Sequence, residues 1–426
     1  MKIRKSVLLD ALKVLGKAVC QTSPVEVLRS VRVLGVGAQV WLTATDGVEF
    51  VMVEVSGAAG DREDFAVEYK ALREMVRSTR GGEIEVTGKR LDWPVAEVVP
   101  EDAVSVVLPE NFTALLAEAA PVVDRNEARQ LLQGIHLCPE GIVVTDGKQL
   151  LHLPQDWMLN DSLTLPFPLA LLTARPEGTG TLMFWKSRDI QLFKIDIGHF
   201  SWYGKALAGT YPAWRNVVPE KSAHDYAITF TPEQAAQLTG FLKTVPDSPP
   251  FHAVELNVVP GGVTVIPNNF PDMELRLDAT VIGAQPRAVL ALNKYILLRM
   301  LQQDYTKFRA HSDGRIPVIA EGGSGRYLAM PIHILPKHQP KTEEKKMEAT
   351  KRIEHAETVT EAATEPVNPM EELNHSVEDL RGKLKTLLDE SALLARKVKE
   401  AVLQQKQRER EFVQAKRAIE RIKMAI

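Results

Sequence analysis

Val31-Arg-Val-Leu-Gly-Val-Gly-Ala-Gln-Val-Trp-Leu-Thr-Ala-Thr45-Asp46-Gly47 and Leu132-Gln-Gly-Ile-His-Leu-Cys-Pro-Glu-Gly-Ile-Val-Val-Thr145-Asp146-Gly147 follow one pattern. Each has an apolar segment, a short turn with glycine, and an alternating segment that ends in Thr-Asp-Gly. Alternating apolar and polar residues are typical of a strand with one buried face, so each stretch predicts a β-hairpin. The two Thr-Asp-Gly triplets stand 100 residues apart, which indicates a repeated unit.

A looser third copy begins at Ala253 and ends at Asn269, where Asn268 and Asn269 replace the Asp-Gly turn. Two helices with apolar spacing accompany each hairpin, one before it and one after it. The helix after Thr231 has a good N-cap and proline at its first position. The helices are predicted over 7–19, 112–120 and 232–242 before the hairpins, and over 67–76, 168–174 and 293–301 after them.

A third shared feature closes the first two repeats. Trp93-Pro94 to Pro100-Glu101 resembles Tyr211-Pro212 to Pro219-Glu220, and each proline-bounded segment is interpreted as an extended connector. Three features in the same order favour an α+β fold of three repeated domains, at 1–109, 110–222 and 223–336. Antiparallel sheets would form one layer, and two helices per repeat would form the other.

The composition changes after the third repeat. Residues 337–369 are rich in Lys, Glu, Thr, Pro and Ala, which predicts a flexible charged linker. From Leu373 to Ile426 a 4-3 spacing defines one seam, and thirteen of its sixteen positions are apolar. This pattern predicts a coiled coil over 370–426, which Gly382, Gln405 and Arg408 weaken locally.

Bulk composition limits the function classes. The chain of 426 residues has a net charge of −3, and no apolar run is long enough to cross a membrane. The two cysteines, Cys20 and Cys138, stand outside any CxxC or Cys/His cluster, so we expect reduced, buried thiols in a cytoplasmic protein. No nucleotide-binding P-loop, HExxH or GxSxG motif occurs, and no metal site, cofactor or catalytic residue is predicted. Asp46 and Asp146 are explained by turns.

The three repeats resemble the bacterial DNA polymerase III beta subunit, the sliding clamp. Leu42 to Asp46, Gln133-Gly134 with Val144 to Gly147, Tyr211-Pro212 with Val218-Pro219, and Tyr327 to Ile332 carry the resemblance, which covers essentially all of 1–334. It implies a non-enzymatic processivity factor that forms a head-to-tail homodimer ring around double-stranded DNA, independently of sequence. It also implies tethering of a DNA polymerase, repair proteins and a clamp loader.

The resemblance assigns two groups of residues. A hydrophobic cleft between the second and third repeats would bind short peptides of partner proteins. Its walls would be Leu132, Thr145, Leu150, Pro212, Asn216, Val217, Leu328, Met330, Pro331 and Ile332. Because the body is acidic, its positive charge must be segregated to attract DNA, and helices on the inner face would carry it. These DNA-facing residues would be Lys13, Lys17, Lys70, Arg73, Arg77, Arg80, Arg125, Arg129, Arg175, Lys243, Lys294 and Arg299.

Alternatives remain open at this point. Leu132, Leu150, Val217 and Leu328 could be plain core, and Thr145 could be only a turn residue. Gln149 and Asn216 stand where many clamps have arginine, which puts ligand preference in doubt. The chain could instead be a clamp-like paralogue with a regulatory or scaffold role through its coiled coil, with or without a coiled-coil partner. The coil could also gate the cleft or only add self-association.

Overall fold

The structure is a computed structural model that describes residues 1–58, 62–283 and 288–333. The predicted linker over 337–369 and coiled coil over 370–426 therefore lie outside the described residues. All described elements belong to the first of the two compact parts of the chain, residues 1–339. We name three successive groups of elements units I, II and III.

Unit I begins with a short strand and a helix, and its main hairpin is the predicted one. Val33 pairs with Leu42 in that hairpin, and the alternating residues Val31, Val33, Val40 and Leu42 are fully buried. The elements are β1 (Lys2–Arg4), α1 (Lys5–Leu15), β2 (Ser30–Val36), β3 (Gln39–Thr45), β4 (Phe50–Ala58), β5 (Glu63–Glu68), α2 (Tyr69–Ser78) and β6 (Glu83–Glu85).

Unit II repeats this order and adds a longer closing meander. Its second helix, α4, ends at Ala174, and the next residue, Arg175, adopts a left-handed conformation with φ of 47°. The elements are β7 (Val104–Leu108), α3 (Phe112–Ala119), β8 (Ile135–Cys138), β9 (Gly141–Thr145), β10 (Gln149–Pro154), β11 (Leu163–Leu165), α4 (Leu169–Ala174), β12 (Gly180–Ser187), β13 (Ile190–Ile197) and β14 (Phe200–Lys205).

Unit III follows the same plan. Thr231 caps α5 by accepting from the Gln234 amide while the Gln234 side chain accepts from the Thr231 amide, as the sequence predicts for a helix start at Pro232. The elements are β15 (Tyr226–Thr229), α5 (Pro232–Thr244), β16 (Ala253–Val259), β17 (Gly262–Pro267), β18 (Leu275–Leu277), β19 (Thr280–Ile282), β20 (Ala288–Asn293), α6 (Lys294–Gln302), β21 (Tyr305–Ala310), β22 (Val318–Gly322) and β23 (Gly325–Ala329).

Two sheets cross from one unit to the next. One has the order β5-β2-β3-β4-β14-β13-β12-β7, so β4 of unit I pairs with β14 of unit II. The second has the order β11-β8-β9-β10-β23-β22-β21-β15-β19, so β10 pairs with β23 of unit III. A third sheet, β18-β17-β16-β20, lies within unit III. Antiparallel pairing across the boundaries joins the three units into one body.

Strand pairing moves one predicted boundary. β7 lies in the predicted first domain, 1–109, but it pairs with β12 of unit II. Unit II therefore begins before Val104, since the connector after β6 ends there. The boundary predicted between 222 and 223 falls between β14 and β15.

Unit I is the shortest of the three. Three strands follow the second helix in units II and III, whereas only β6 follows α2. Residues 86–103, all described, form no strand and make one isolated bridge, between Lys89 and Ala66. In unit III, β18 takes the place that β4 and β10 have in their units, and it pairs with β17 alone. Unit I after α2 and unit III at β18 therefore lack the strand pairing that joins the units at the internal junctions.

The helices form because their apolar residues recur every three or four positions. In α2, Tyr69, Leu72 and Val76 are buried, while Lys70 and Arg73 are exposed on the other side. All six predicted helices are present in the described residues, with ends that differ by a few positions. Cys138 is buried and Cys20 is half-buried, and both thiols are free.

Candidate functional site

An apolar cleft lies where unit II meets unit III. Its floor follows from the pairing of β10 with β23, which places Leu150 opposite Leu328. Both side chains and that of Leu132 are almost fully buried. They pack in a cluster with Val143 and Ile319, separate from the main core. The floor is therefore a rigid apolar surface and not a set of mobile side chains.

The rim of the cleft is exposed. Val217, at the end of a 3-10 turn formed by Trp214–Val217, is 52% exposed, and Met330, just after β23, is 45% exposed. Pro212 completes the wall, and the cavity holds about 220 Å³. Exposed apolar side chains over a dry floor are the arrangement that binds short peptides through their apolar side chains. Methionine, with its unbranched and polarisable side chain, can adapt to differently shaped apolar surfaces.

The Thr145–Gln149 turn shapes one end of the cleft. The Thr145 hydroxyl donates to the Gln149 carbonyl at 2.6 Å and accepts from the Gly147 amide at 3.0 Å. Asp146 Oδ1 accepts from the amides of Lys148 and Gln149 at 2.8 and 3.0 Å. Gly147 has φ of +86°, a conformation that glycine adopts without strain. Thr145 lines the cleft and also holds this turn.

Gln149 ties the cleft floor to unit III. Its Oε1 atom accepts from Arg299 Nη1 at 2.8 Å and from the Tyr327 hydroxyl at 2.6 Å. Its Nε2 atom donates to Asp146 at 2.7 Å. Burial raises the pKa of Tyr327 to about 12, so the hydroxyl remains a donor at neutral pH. The amide is thus bonded on both ends, which fixes its orientation.

Trp214 is held at the cleft wall by its neighbours. The Arg215 guanidinium lies 4.8 Å from the Trp214 ring centroid, and Arg215 Nε donates to Glu140 Oε1 at 2.9 Å. This hydrogen bond lowers the pKa of Glu140 to about 2. The His152 ring also packs against Trp214, with ring centroids 4.8 Å apart. The indole is therefore positioned before any ligand arrives.

A second feature is a basic cavity of about 610 Å³ beside α1, α2 and α4. Lys13 and Lys17 reach it from α1 and the turn after it, and Arg73 and Arg77 reach it from α2. The Tyr69 hydroxyl donates to the Leu12 carbonyl at 3.0 Å and so fixes the two helices side by side. Four cations around one concavity attract a polyanion through charge alone.

Several solved structures are similar to the chain. The Pseudomonas aeruginosa DNA polymerase sliding clamp matches with a TM-score of 0.66 at 18% identity, over 78% of this chain and 99% of that one. The Bartonella birtlesii clamp bound to griselimycin matches at 0.67 and 16% identity, over 78% and 99%. The Helicobacter pylori beta clamp bound to a DNA ligase peptide matches at 0.66 and 15% identity, over 78% and 100%.

The chain has the sliding-clamp fold. The fold class predicted from the repeats is thereby confirmed for the three units, and the resemblance to the DNA polymerase III beta subunit is confirmed at the level of structure. No protein-family model and no curated sequence matches the chain. At these identities the similarity establishes the fold alone, so residue roles depend on the geometry described above.

The sliding-clamp fold brings together seven of the ten residues predicted for the cleft. Those that line it are Leu132, Thr145, Leu150, Pro212, Val217, Leu328 and Met330. Asn216 and Pro331 lie beside the cleft but outside its lining. Ile332 is also outside the lining, and its amide donates to the Ala291 carbonyl of β20 at 2.8 Å. Leu132, Leu150 and Leu328 are core and cleft floor at once, so the two interpretations of these residues coincide.

Sequence reasoning misses several lining residues. Lys148, Gln149, Ala213 and Trp214 are chain neighbours of predicted residues, so the Thr-Asp-Gly turn and the Tyr-Pro connector are the signals for them. Pro317 comes from the turn before β22 and has no such signal. Its place in the cleft depends on how unit III packs.

The predicted DNA-facing set divides in two. Nine of its members are exposed and lie away from the cleft, namely Lys13, Lys17, Lys70, Arg73, Arg77, Arg80, Arg125, Arg175 and Lys243. Lys13 pairs with Asp10 at 2.8 Å, and Arg125 lies over the Phe167 ring at 5.0 Å. Neither contact buries the charge.

Three members of that set differ from the other nine. Lys294 is buried, and its ammonium donates to the Val245 carbonyl at 2.8 Å and pairs with Asp247 at 2.7 Å. Arg299 is half-buried and bonded to Gln149. Arg129 is exposed, but it lines the cleft and pairs with Glu127 at 2.8 Å. Burial and internal partners contradict the DNA-facing prediction for Lys294 and Arg299, whereas that for exposed Arg129 stays a prediction.

Two kinds of site are absent from the described part of the chain. No group of three His, Cys, Asp or Glu side chains among these residues could hold a metal ion. Within the same residues, no helix combines the length and apolar character needed to cross a bilayer.

Proposed function

We propose that the chain is a DNA sliding clamp, a non-catalytic processivity factor of the cytoplasm. It would encircle duplex DNA and tether a DNA polymerase and other replication or repair proteins through the apolar cleft between units II and III. The observation that carries the proposal is the presence, in a chain with the sliding-clamp fold, of a preformed apolar cleft at that junction. No cofactor or metal is required.

Partner binding is supported by the chemistry of the cleft. Buried Leu150 and Leu328 give a dry floor, and exposed Val217 and Met330 give a rim that loses water on binding. The similar Helicobacter pylori clamp is bound to a DNA ligase peptide in its structure. We infer that the cleft binds extended peptides of this general kind, and that the polymerase and the clamp loader compete for it.

DNA contact is supported by the exposed cations on α1, on the turn after it and on α2. Lys13, Lys17, Arg73 and Arg77 surround one cavity. Such cations bind phosphate without reading sequence, which permits sliding. The remaining exposed members of the predicted DNA-facing set would add to this attraction.

Ring formation is proposed as a head-to-tail homodimer, a heterologous contact that closes by rotation. Each of the two internal junctions joins units through four residue pairs of antiparallel strand. In the proposed dimer, β18 of one chain faces unit I of the other. Because unit I has only β6 after α2, the closing contact would involve fewer strands than an internal junction.

The experiment is retention on circular DNA. Labelled full-length protein is incubated with nicked plasmid, a bacterial clamp loader and ATP, and then filtered through a sizing column at high salt. A topologically linked ring elutes with the circle and is released when the plasmid is linearised before filtration. Protein that fails to elute with the circle, while remaining folded, contradicts encirclement.

The short unit I also favours a second candidate, a clamp-like paralogue that binds partners through its cleft but does not close its own ring. This protein would act as a regulator or scaffold, with its C-terminal region recruiting a coiled-coil partner. It predicts peptide binding at the cleft without retention on circular DNA, so the same filtration assay together with a peptide titration separates the two candidates.

A further inference from the structure

The junction between units I and II is built like the junction that forms the cleft. Thr45 accepts from the Gly47 amide at 3.0 Å, and Asp46 Oδ1 accepts from the amides of Val48 and Glu49 at 2.8 and 2.9 Å. The Thr145–Gln149 turn makes bonds of the same kind at the equivalent positions. Each turn leads directly into the strand that crosses to the next unit, β4 in one case and β10 in the other.

Strand register extends this equivalence residue by residue. Phe50 pairs with Tyr203 across the first junction, as Leu150 pairs with Leu328 across the second. The connector prolines Pro94 and Pro212 lie beside the two junctions. The turn, the paired strands and the connector of the cleft between units II and III therefore have counterparts between units I and II.

These counterparts enclose a groove of about 560 Å³, which we call the I–II groove. Its apolar lining comes from Val48, Phe50, Val95, Ile190, Leu192 and Tyr203. Val95 is 83% exposed and Val48 is 49% exposed, so a large part of this apolar surface faces water. Exposed apolar side chains gathered around a concavity mark a binding surface more often than scattered ones do.

The charge of the I–II groove indicates what it binds. Lys205 stands at the position of Met330, and Arg188 stands at the tip of the β12–β13 hairpin. Neither has an ion-pair partner among the residues that the structure describes. The lining also holds one carboxylate, that of Glu97, which accepts from the Ser187 hydroxyl at 2.5 Å. Lysine and arginine therefore outnumber acidic residues in the lining by two to one. Two unpaired cations next to apolar side chains complement a ligand that carries carboxylates and apolar groups.

We propose that the I–II groove is a second peptide-binding site, with an extended peptide of apolar and acidic residues as its ligand. Its apolar side chains pack on Phe50, Leu192 and Tyr203, and its carboxylate pairs with Lys205 or Arg188. The proposal goes beyond the tethering function of the cleft between units II and III, and it holds whether or not the chain encircles DNA. One chain would then hold two different partners, since Lys205 and Met330 select different ligands at equivalent positions.

Affinity selection on the full-length protein tests this. The probe is a library of acetylated hexapeptides built from Leu, Ile, Phe, Asp, Glu and Ser. Selected peptides are titrated against a groove variant, Val95→Glu with Lys205→Glu, and a cleft variant, Val217→Glu with Met330→Glu. Met158→Glu is the matched control, because Met158 is 85% exposed and lines neither site. All of these positions are exposed, so the fold should be preserved, and circular dichroism verifies it.

We expect a class of acidic peptides whose affinity falls at least tenfold in the groove variant and less than twofold in the cleft variant and the control. Lys205→Arg should retain their binding, since the charge is kept. The inference is wrong if the cleft variant weakens the binding of every selected peptide, or if neither variant weakens it. It is also wrong if the groove variant only converts a self-associated form to monomers in sedimentation, because the occupant is then another copy. Binding that depends on the cleft alone leaves the proposed tethering function intact.

Discussion

The Tyr327 hydroxyl donates a hydrogen bond to Gln149 Oε1 at 2.6 Å, and this bond crosses from β23 of unit III to β10 of unit II. It lies directly under the cleft, where Leu150 and Leu328 form the floor. The polar contact and the apolar floor therefore depend on the same strand register. The cleft keeps its shape only as long as the two units remain joined at this point.

Replacing Gln149 by Leu should destabilise the protein by roughly 2–4 kcal/mol, because the Tyr327 hydroxyl and the Arg299 guanidinium are both left without their acceptor. Tyr327→Phe should cost only about 1 kcal/mol, since Gln149 keeps Arg299 as a donor. Urea unfolding followed by tryptophan fluorescence measures both values. Equal destabilisation in the two variants would show that Gln149 does not connect the units in this way.

Truncating the exposed rim should weaken peptide binding without affecting the fold. Val217→Ala and Met330→Ala should each reduce the affinity for a clamp-binding peptide by roughly tenfold, about 1.4 kcal/mol, because each removes apolar surface that is covered on binding. Fluorescence anisotropy with a labelled peptide gives the affinity. Val107→Ala, at an exposed apolar position outside the cleft, serves as the control and should have no effect.

Neutralising cations of the basic cavity should weaken DNA binding and its dependence on salt. For Arg73→Ser with Arg77→Ser, the slope of log affinity against log salt concentration should fall by roughly 2, about 0.9 for each phosphate that is no longer neutralised. Filter binding with a short duplex at several salt concentrations measures the slope. Lys186→Ser, on β12, removes an exposed charge elsewhere and should leave the slope unchanged. An equal decrease in both variants would point to net charge and not to this surface.

Glu49 should make stability depend on pH in the neutral range. Its carboxylate accepts from Trp202 Nε1 at 3.0 Å, and burial, with a smaller contribution from Asp46, raises its pKa to about 7. The folded state therefore binds a proton that the unfolded chain releases above about pH 4.5. Stability should fall as pH rises from about 4.5 to 7 and then level off.

Glu49→Gln should remove most of this dependence and stabilise the protein at pH 8 by on the order of 2 kcal/mol, because the amide carries no charge to desolvate. Thermal unfolding at intervals from pH 4.5 to 8 measures the effect. Glu101→Gln is the control, since Glu101 is exposed and makes no ion pair among the residues that the structure describes. A parallel pH dependence in the Glu49 variant and the unmodified chain would contradict this prediction.

The repeats and helices can be predicted because they follow local rules. Alternation around Val33 and Leu42 specifies a strand with one buried face, and the Thr231 cap marks where α5 begins. The pairing of β7 with β12 cannot be predicted in this way, because the two strands are far apart in sequence. A boundary placed after Pro109 therefore separates β7 from its partner.

The site residues likewise divide into those that a sequence motif indicates and those that only the three-dimensional packing reveals. The resemblance to the sliding clamp assigns Leu132, Thr145 and Leu150 to the cleft, whereas Pro317 reaches the cleft only through the packing of unit III. Lys294 carries the same charge as the exposed lysines, and only the structure reveals Asp247 and the Val245 carbonyl as its partners. Residue type alone does not distinguish a cation that serves the fold from one that faces solvent.

The brevity of unit I has a mechanical consequence. Two chains joined end to end would meet at seams that contain two strands fewer per junction than the seams inside each chain. At about 4.8 Å per strand, the circumference of such an assembly shrinks by roughly 19 Å, which narrows its bore by about 6 Å. The same seams, between unit III of one chain and unit I of the other, are where it would part first under load, so entry and escape of DNA would be concentrated there and not at the junctions within each chain.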